Sequence, residues 1–128
     1  MLDQALICHS SWALGVGRRL LDELSRYAVA RAGRTGQIAD SDAFHTDFAR
    51  AEAKFRAAAA LVRETWDDVE RTLDSGRTLD VRQETMVRLA LNHITSTITE
   101  GPQSLRECGR ELAGLAAGES WALFGLEP

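Results

Sequence analysis

The stretch SDAFHTDFARAEAKFRAAAALVRETWDDVERTLDSG, residues 41–76, decides the fold. Within it Phe44, Phe48, Ala51, Phe55, Ala58, Val62, Thr65, Val69 and Leu73 recur in steps of three and four, the spacing that puts side chains on one face of a helix. Both ends carry signals. Asp40 and Ser41 can accept the free amides of a first turn, Asp42 and Asp47 favour its positive end, and Gly76 follows the last apolar residue as a stop. The spacing therefore predicts a helix of about thirty residues. Its four consecutive alanines, Ala57 to Ala60, have high helix propensity and little bulk, so a neighbouring helix can approach closely there.

Upstream, Leu6, Ala13, Val16, Leu20, Leu24 and Tyr27 trace a second stripe, with Arg18, Arg19, Asp22, Glu23 and Arg26 mostly opposite, predicting a helix from near Leu2 to Ala30. Gly15 and Gly17 inside it each cost about 1 kcal/mol relative to alanine, which is tolerable where a backbone must come close to something. The pair lacks the preceding strand and third glycine of a dinucleotide fingerprint. Downstream, Asp80 is a cap for a third helix whose stripe reads Val81, Met86, Leu89, His93, Thr97, Gly101, Ser104, Cys108 and Leu112. Pro102 lacks an amide donor and predicts a kink or break between Glu100 and Gln103. After Gly114 comes a turn and a short apolar tail with Trp121, Leu123 and Phe124.

Nineteen alanines and only two prolines in 128 residues agree with this reading: one all-α domain over 1–128, an elongated up-and-down bundle of three long helices and a short C-terminal tail. Three helices leave a groove. A fourth helix or oligomerisation is expected to complete it and to cover Trp12, Trp66, Trp121 and Phe124. The segment from Ala32 to Asp40 is the main expected loop.

Fifteen basic against nineteen acidic residues, net −4, argue against a nucleic-acid module. Cys8 and Cys108 have neither disulfide-framework nor zinc spacing, and the N-terminal apolar stretch fits neither a signal peptide nor a membrane span, so a cytoplasmic protein is expected. His9, His45 and His93 fall on three different helices without a metal-binding pair. His93 reads as a hydrogen-bonded core histidine and His45 as the more open one. Glu52, Glu64, Asp67, Asp68 and Glu70 mostly have arginines three or four residues away, the pattern of a solvated helix face. Cys108 among Arg106, Glu107 and Arg110 could be an activated thiolate but reads better as an inert thiol. These readings supply no catalytic residue and no metal site.

Residues 13–24, ALGVGRRLLDEL, followed by Tyr27-Ala28-Val29-Ala30-Arg31, resemble the first helix of the C-terminal domain of the acyl-CoA dehydrogenase superfamily. The resemblance continues through Phe44-His45, Phe48-Ala49, Ala51-Glu52, Arg88-Leu89-Ala90, and Ala117-Gly118-Glu119-Ser120 with Ala122-Leu123-Phe124. The arginine-rich helices and the Ala-Gly-x-Ser turn are closer to the branch with flavin-dependent monooxygenases than to the fatty-acyl dehydrogenases.

The resemblance implies a four-helix bundle that oligomerises and lends residues to a flavin, FAD or FMN. It implies that Arg31 holds the pyrophosphate, for which a guanidinium fork is well shaped, and that Gly118 and Ser120 form the turn that approaches the cofactor. His45 stands where the family has glutamine, and Arg34 and Thr35 replace a Phe-Gly pair. The family's N-terminal helical domain and middle β-domain have no counterpart, so the expectation is part of an oxidoreductase, not a self-sufficient one, with a homo-oligomer or a separate chain carrying the missing domains as partner. Two other classes stay open. One is a non-enzymatic helical interaction or oligomerisation module that binds a partner's helix in its groove. The other is a small-ligand binder using His93, Thr97 and Ser104.

Overall fold

A computed structural model describes residues 4–31 and 41–100. They form three helices, α1 (Gln4–Arg31), α2 (Asp42–Asp74) and α3 (Val81–Thr99), with no strand among the described residues. The 33 residues of α2 make a rod about 50 Å long at the usual rise. The caps read from the sequence are in place. Ser41 Oγ accepts the amide of Phe44 at 3.1 Å, and Gly76, at φ 72°, donates its amide to the carbonyl of Leu73. Asp80 Oδ1 accepts the amide of Gln83 at 2.8 Å while Gln83 Oε1 accepts that of Asp80, a reciprocal box that satisfies two free donors.

α1 and α2 are antiparallel. Leu24 and Tyr27 near the end of α1 pack with Phe44 at the start of α2, and near the other end Trp66 Nε1 donates to Ser10 Oγ at 3.1 Å. α3 folds back along α2, tied at its start by Gln83 Nε2, which donates to Asp68 Oδ2 and Thr72 Oγ1. Ala13, Ala58 and Ala90, one alanine from each helix, lie together in the main core with Leu21, Phe55, Val62 and Ile94. Small side chains where three helices converge shorten the distance between axes. Ala58 and Ala59 are the buried pair of the alanine run, while Ala57 and Ala60 face out.

The inner faces differ from the hydrophobic stripes in two helices. On α1 the buried line is Ser10, Ala13, Gly17, Leu21, Leu24 and Tyr27, whereas Val16 and Leu20 are exposed. On α3 it is Val87, Ala90 and Ile94; Val81, Leu89 and His93 are exposed. The reason is bulk. Gly17 lies under the Phe55 ring, so close that a methyl group added there would overlap it, and a neighbouring helix seats where small residues let it come near. On α2 the stripe holds until its end, where Thr72 is buried and Leu73 is exposed.

α3 ends at Thr99, with Glu100 donating its amide to the carbonyl of Ser96, at the position where Pro102 predicts an interruption. The expected continuation to Leu112, the tail with Trp121 and Phe124, Cys108, and the loop from Ala32 to Asp40 lie outside the described residues.

Candidate functional site

The end of the bundle where α1 closes and α2 opens carries two of the sequence-predicted residues. Arg31 is the last residue of α1, one turn beyond Tyr27. Tyr27 packs against Phe44, the immediate neighbour of His45. The antiparallel pairing thus brings the backbone of Arg31 and the first turn of α2 to the same end. His45 is exposed; its ring stands edge-on to Phe44, with centroids 6.0 Å apart. Its amide donates to the carbonyl of Ser41, so the histidine sits within the first turn. A helix start carries partial positive charge, and the Asp42 carboxylate in the same turn offsets part of it. Gly118 and Ser120 lie outside the described residues, as do Arg34 and Thr35.

Farther along the same interface is an ion-pair network that the sequence reading missed. Arg18 places Nη1 2.7 Å from Glu52 Oε1 and Nη2 3.1 Å from Oε2, and its Nε donates to Asp22 Oδ1 at 3.0 Å. Arg56 donates to the same Glu52 at 2.8 Å. Two parallel bonds between a guanidinium and a carboxylate fix distance and angle together. The hydrogen bond from Arg18, then that from Arg56, hold the Glu52 carboxyl below its ordinary range, against the opposing effect of partial burial. Glu52 and Asp22 in turn push the Arg18 guanidinium upward. The Arg18 guanidinium also lies 5.9 Å from the centre of the Phe55 ring. Sequence reading put Glu52 on a solvated face because it weighed only partners three or four residues away. The usable signal was Arg18 beside Gly17, at the edge of a face that has to come close to a neighbour.

Among the described residues the other candidates are not gathered into a site. His93 is exposed, not a core histidine, and the Thr97 hydroxyl donates to its backbone carbonyl at 2.8 Å; Ser104, expected beside them, lies outside the described residues. His9 is exposed, with Nε2 3.5 Å from Thr95 Oγ1 and its ring 5.8 Å from that of Trp12. Cys8 is exposed and free. Among the described residues no group of three histidine, cysteine or acidic side chains could hold a metal ion, and no helix is long and apolar enough to cross a membrane.

Three helices with small-residue contacts and a charged interhelical staple define an all-α bundle domain. The family model described as acyl-CoA dehydrogenase, C-terminal domain, matches residues 7–108, and the chain belongs to that family. Over 106 residues it is 29% identical to an indole-3-acetate monooxygenase of Acinetobacter baumannii, in 81% of this chain and 26% of that protein. The chain spans about a quarter of the length of this curated relative. No solved structure matches it. The resemblance carried by residues 13–31 and by the motifs down to Arg88-Leu89-Ala90 thus holds, the turn at residues 117–120 lies beyond the matched residues, and the relative is a monooxygenase.

Proposed function

We propose that this domain completes a flavin site and an oligomer, and that catalysis requires domains carried elsewhere. The observation that carries the reading is the family match over residues 7–108, since the family generally uses FAD. Arg31, His45, Gly118 and Ser120 would hold the cofactor, FAD or FMN. The exposed imidazole of His45 at a helix start, on the end where α1 terminates in Arg31, suits an anionic pyrophosphate. When bound, a flavin supplies the redox chemistry, while the residues of this chain supply charge and orientation.

Self-association is the second half of the proposal. Trp12, Val16 and Leu20, spaced four apart on one face of α1, are 61%, 38% and 42% exposed. We assign this ridge to a second copy of the chain, and a separate chain with the remaining flavoprotein domains to the rest of the assembly. The cysteine usage supports a cytoplasmic setting.

Size-exclusion chromatography with light scattering, after incubation with FAD, tests both halves. Flavin absorbance should travel with an oligomer, and Arg31→Ala should remove the absorbance while leaving helicity and mass unchanged. A colourless oligomer would instead favour the interaction module, with the flavin residues as ancestry. A colourless monomer would remove both assignments.

A further inference from the structure

At the opposite end from Arg31 and His45, the start of α1, the end of α2 and the start of α3 enclose a hollow of about 670 Å³. This lies within the range of roughly 300–1,000 Å³ in which small molecules are bound. Its walls are apolar: Ile7 from α1, Trp66, Val69 and Leu73 from α2, and Leu79 from the connecting turn. Ile7 and Leu73 remain 46% and 52% exposed, so the hollow is lined with hydrocarbon open to water. The indole of Trp66 is held in place by its hydrogen bond to Ser10.

Among the described residues the charged groups at the hollow are all of one sign: Glu70 and Asp74 on α2 and Glu84 on α3 line it, and no described basic side chain does. None of the three forms an ion pair among the described residues, whereas Asp22, Glu23, Asp47, Glu52 and Asp68 each pair with an arginine. Of the arginines nearby, Arg71 is engaged with Asp68 and the Asp67 carbonyl and Arg77 with Ser75, while Arg82 and Arg88 on α3 do not line the hollow. Glu70 and Asp74 stand four apart on one helix face, where like charges repel. An occupant with a positive charge would relieve that repulsion, and an apolar body would cover the exposed wall. A cation is further favoured by the face of an indole.

We propose that this hollow binds an organic cation with an apolar body, an aryl- or alkylammonium. Phenethylamine, protonated at neutral pH, is the probe, and phenylacetate, the same ring with the opposite charge, is its control. Titration calorimetry on the full chain should show saturable binding of the amine and affinity for phenylacetate lower by about tenfold or more, the factor that corresponds to roughly 1.4 kcal/mol. In NMR spectra the Trp66 indole N–H signal should move with the amine while that of Trp12 stays.

The combined variant Glu70→Gln, Asp74→Asn, Glu84→Gln changes three exposed side chains and should keep its helicity while losing amine affinity by a similar factor. Equal binding of the two probes, no saturable binding of the amine, or undiminished binding to the neutralised variant would overturn the proposal. So would loss of amine binding as the chain self-associates, which would assign the hollow to a second copy.

Discussion

Two glycines, two positions apart on α1, should answer the same substitution with opposite sign. At Gly15 a methyl group meets nothing within 4 Å; at Gly17 it overlaps Cε2 of Phe55 and stands 2.9 Å from its Cδ2 and 3.1 Å from Ile98 Cδ1. Alanine in place of glycine gains about 0.8–1 kcal/mol of helix propensity at either position. Gly15→Ala keeps that gain. Gly17→Ala sets against it an overpacking cost of about 1–3 kcal/mol, because Phe55 is buried in the main core and cannot swing into solvent freely.

The expected net result for Gly17→Ala is a loss of about 1 kcal/mol, with the propensity gain subtracted from the middle of that cost. Propensity cancels when the two variants are compared, so they should differ by the overpacking cost alone. Urea unfolding followed by circular dichroism measures this difference, with both variants at one protein concentration so that self-association does not enter. Stabilities equal within about 0.5 kcal/mol, the usual scatter for a surface change, would mean that Phe55 is not seated on Gly17 and that the register of α1 on α2 is wrong. Phe55→Leu in the Gly17→Ala background should recover part of the loss, with a coupling of at least about 0.5 kcal/mol.

Asp80→Ala removes the cap of α3 and one half of its reciprocal box, and should cost about 1 kcal/mol in the same assay. Glu52→Gln should cost about 0.5–1 kcal/mol at neutral pH, modest because Arg18 is partly solvated. Since folding lowers the Glu52 carboxyl below its unfolded value of 4.5, its contribution is fully present above that value. It fades as pH falls through the lower folded value, so the parent's advantage over Glu52→Gln should shrink only on the acid side of 4.5; a gap that persists through acid unfolding would contradict the assignment. Trp12→Ser with Leu20→Ser should convert an oligomer to monomers at unchanged helicity, read by light scattering.

The three helices and their stops were legible because caps and turns act locally: Ser41, Gly76 and Asp80 do in the fold what their chemistry predicts. Which face turns inward was legible for α2, whose aromatic and aliphatic stripe has no rival. It was not legible for α1, where Ser10, Ala13 and Gly17 hold half of the inner line, nor for α3, where the inner Val87, Ala90 and Ile94 compete with an outer face that carries Val81 and Leu89. Ser10 is buried because Trp66 needs an acceptor, and Gly17 because Phe55 needs room; neither reason exists until another helix arrives. The Arg18–Glu52 staple, 34 residues apart in sequence, was hidden for the same cause. At the candidate site, sequence supplied Arg31 and His45 by family likeness, and the helix pairing puts both on one end of the bundle.

The connection between α2 and α3, Ser75 to Asp80, has a consequence for the order of assembly. A short loop costs little entropy to close, so α2 and α3 can zip together as a hairpin as soon as both exist. α1 is made before either, yet its seat is formed by Phe55 and Ile98 together, and Ile98 follows Gly17 by 81 positions. At ribosomal speeds of about 5–20 residues per second this is a wait of roughly 4–16 seconds. Throughout that interval the seat of the first helix is incomplete, and Ala13 and Leu21, buried in the finished core, lack the cover that α3 brings. The vulnerable species during synthesis is therefore a partly uncovered amphipathic helix, the form in which a chaperone would meet this chain.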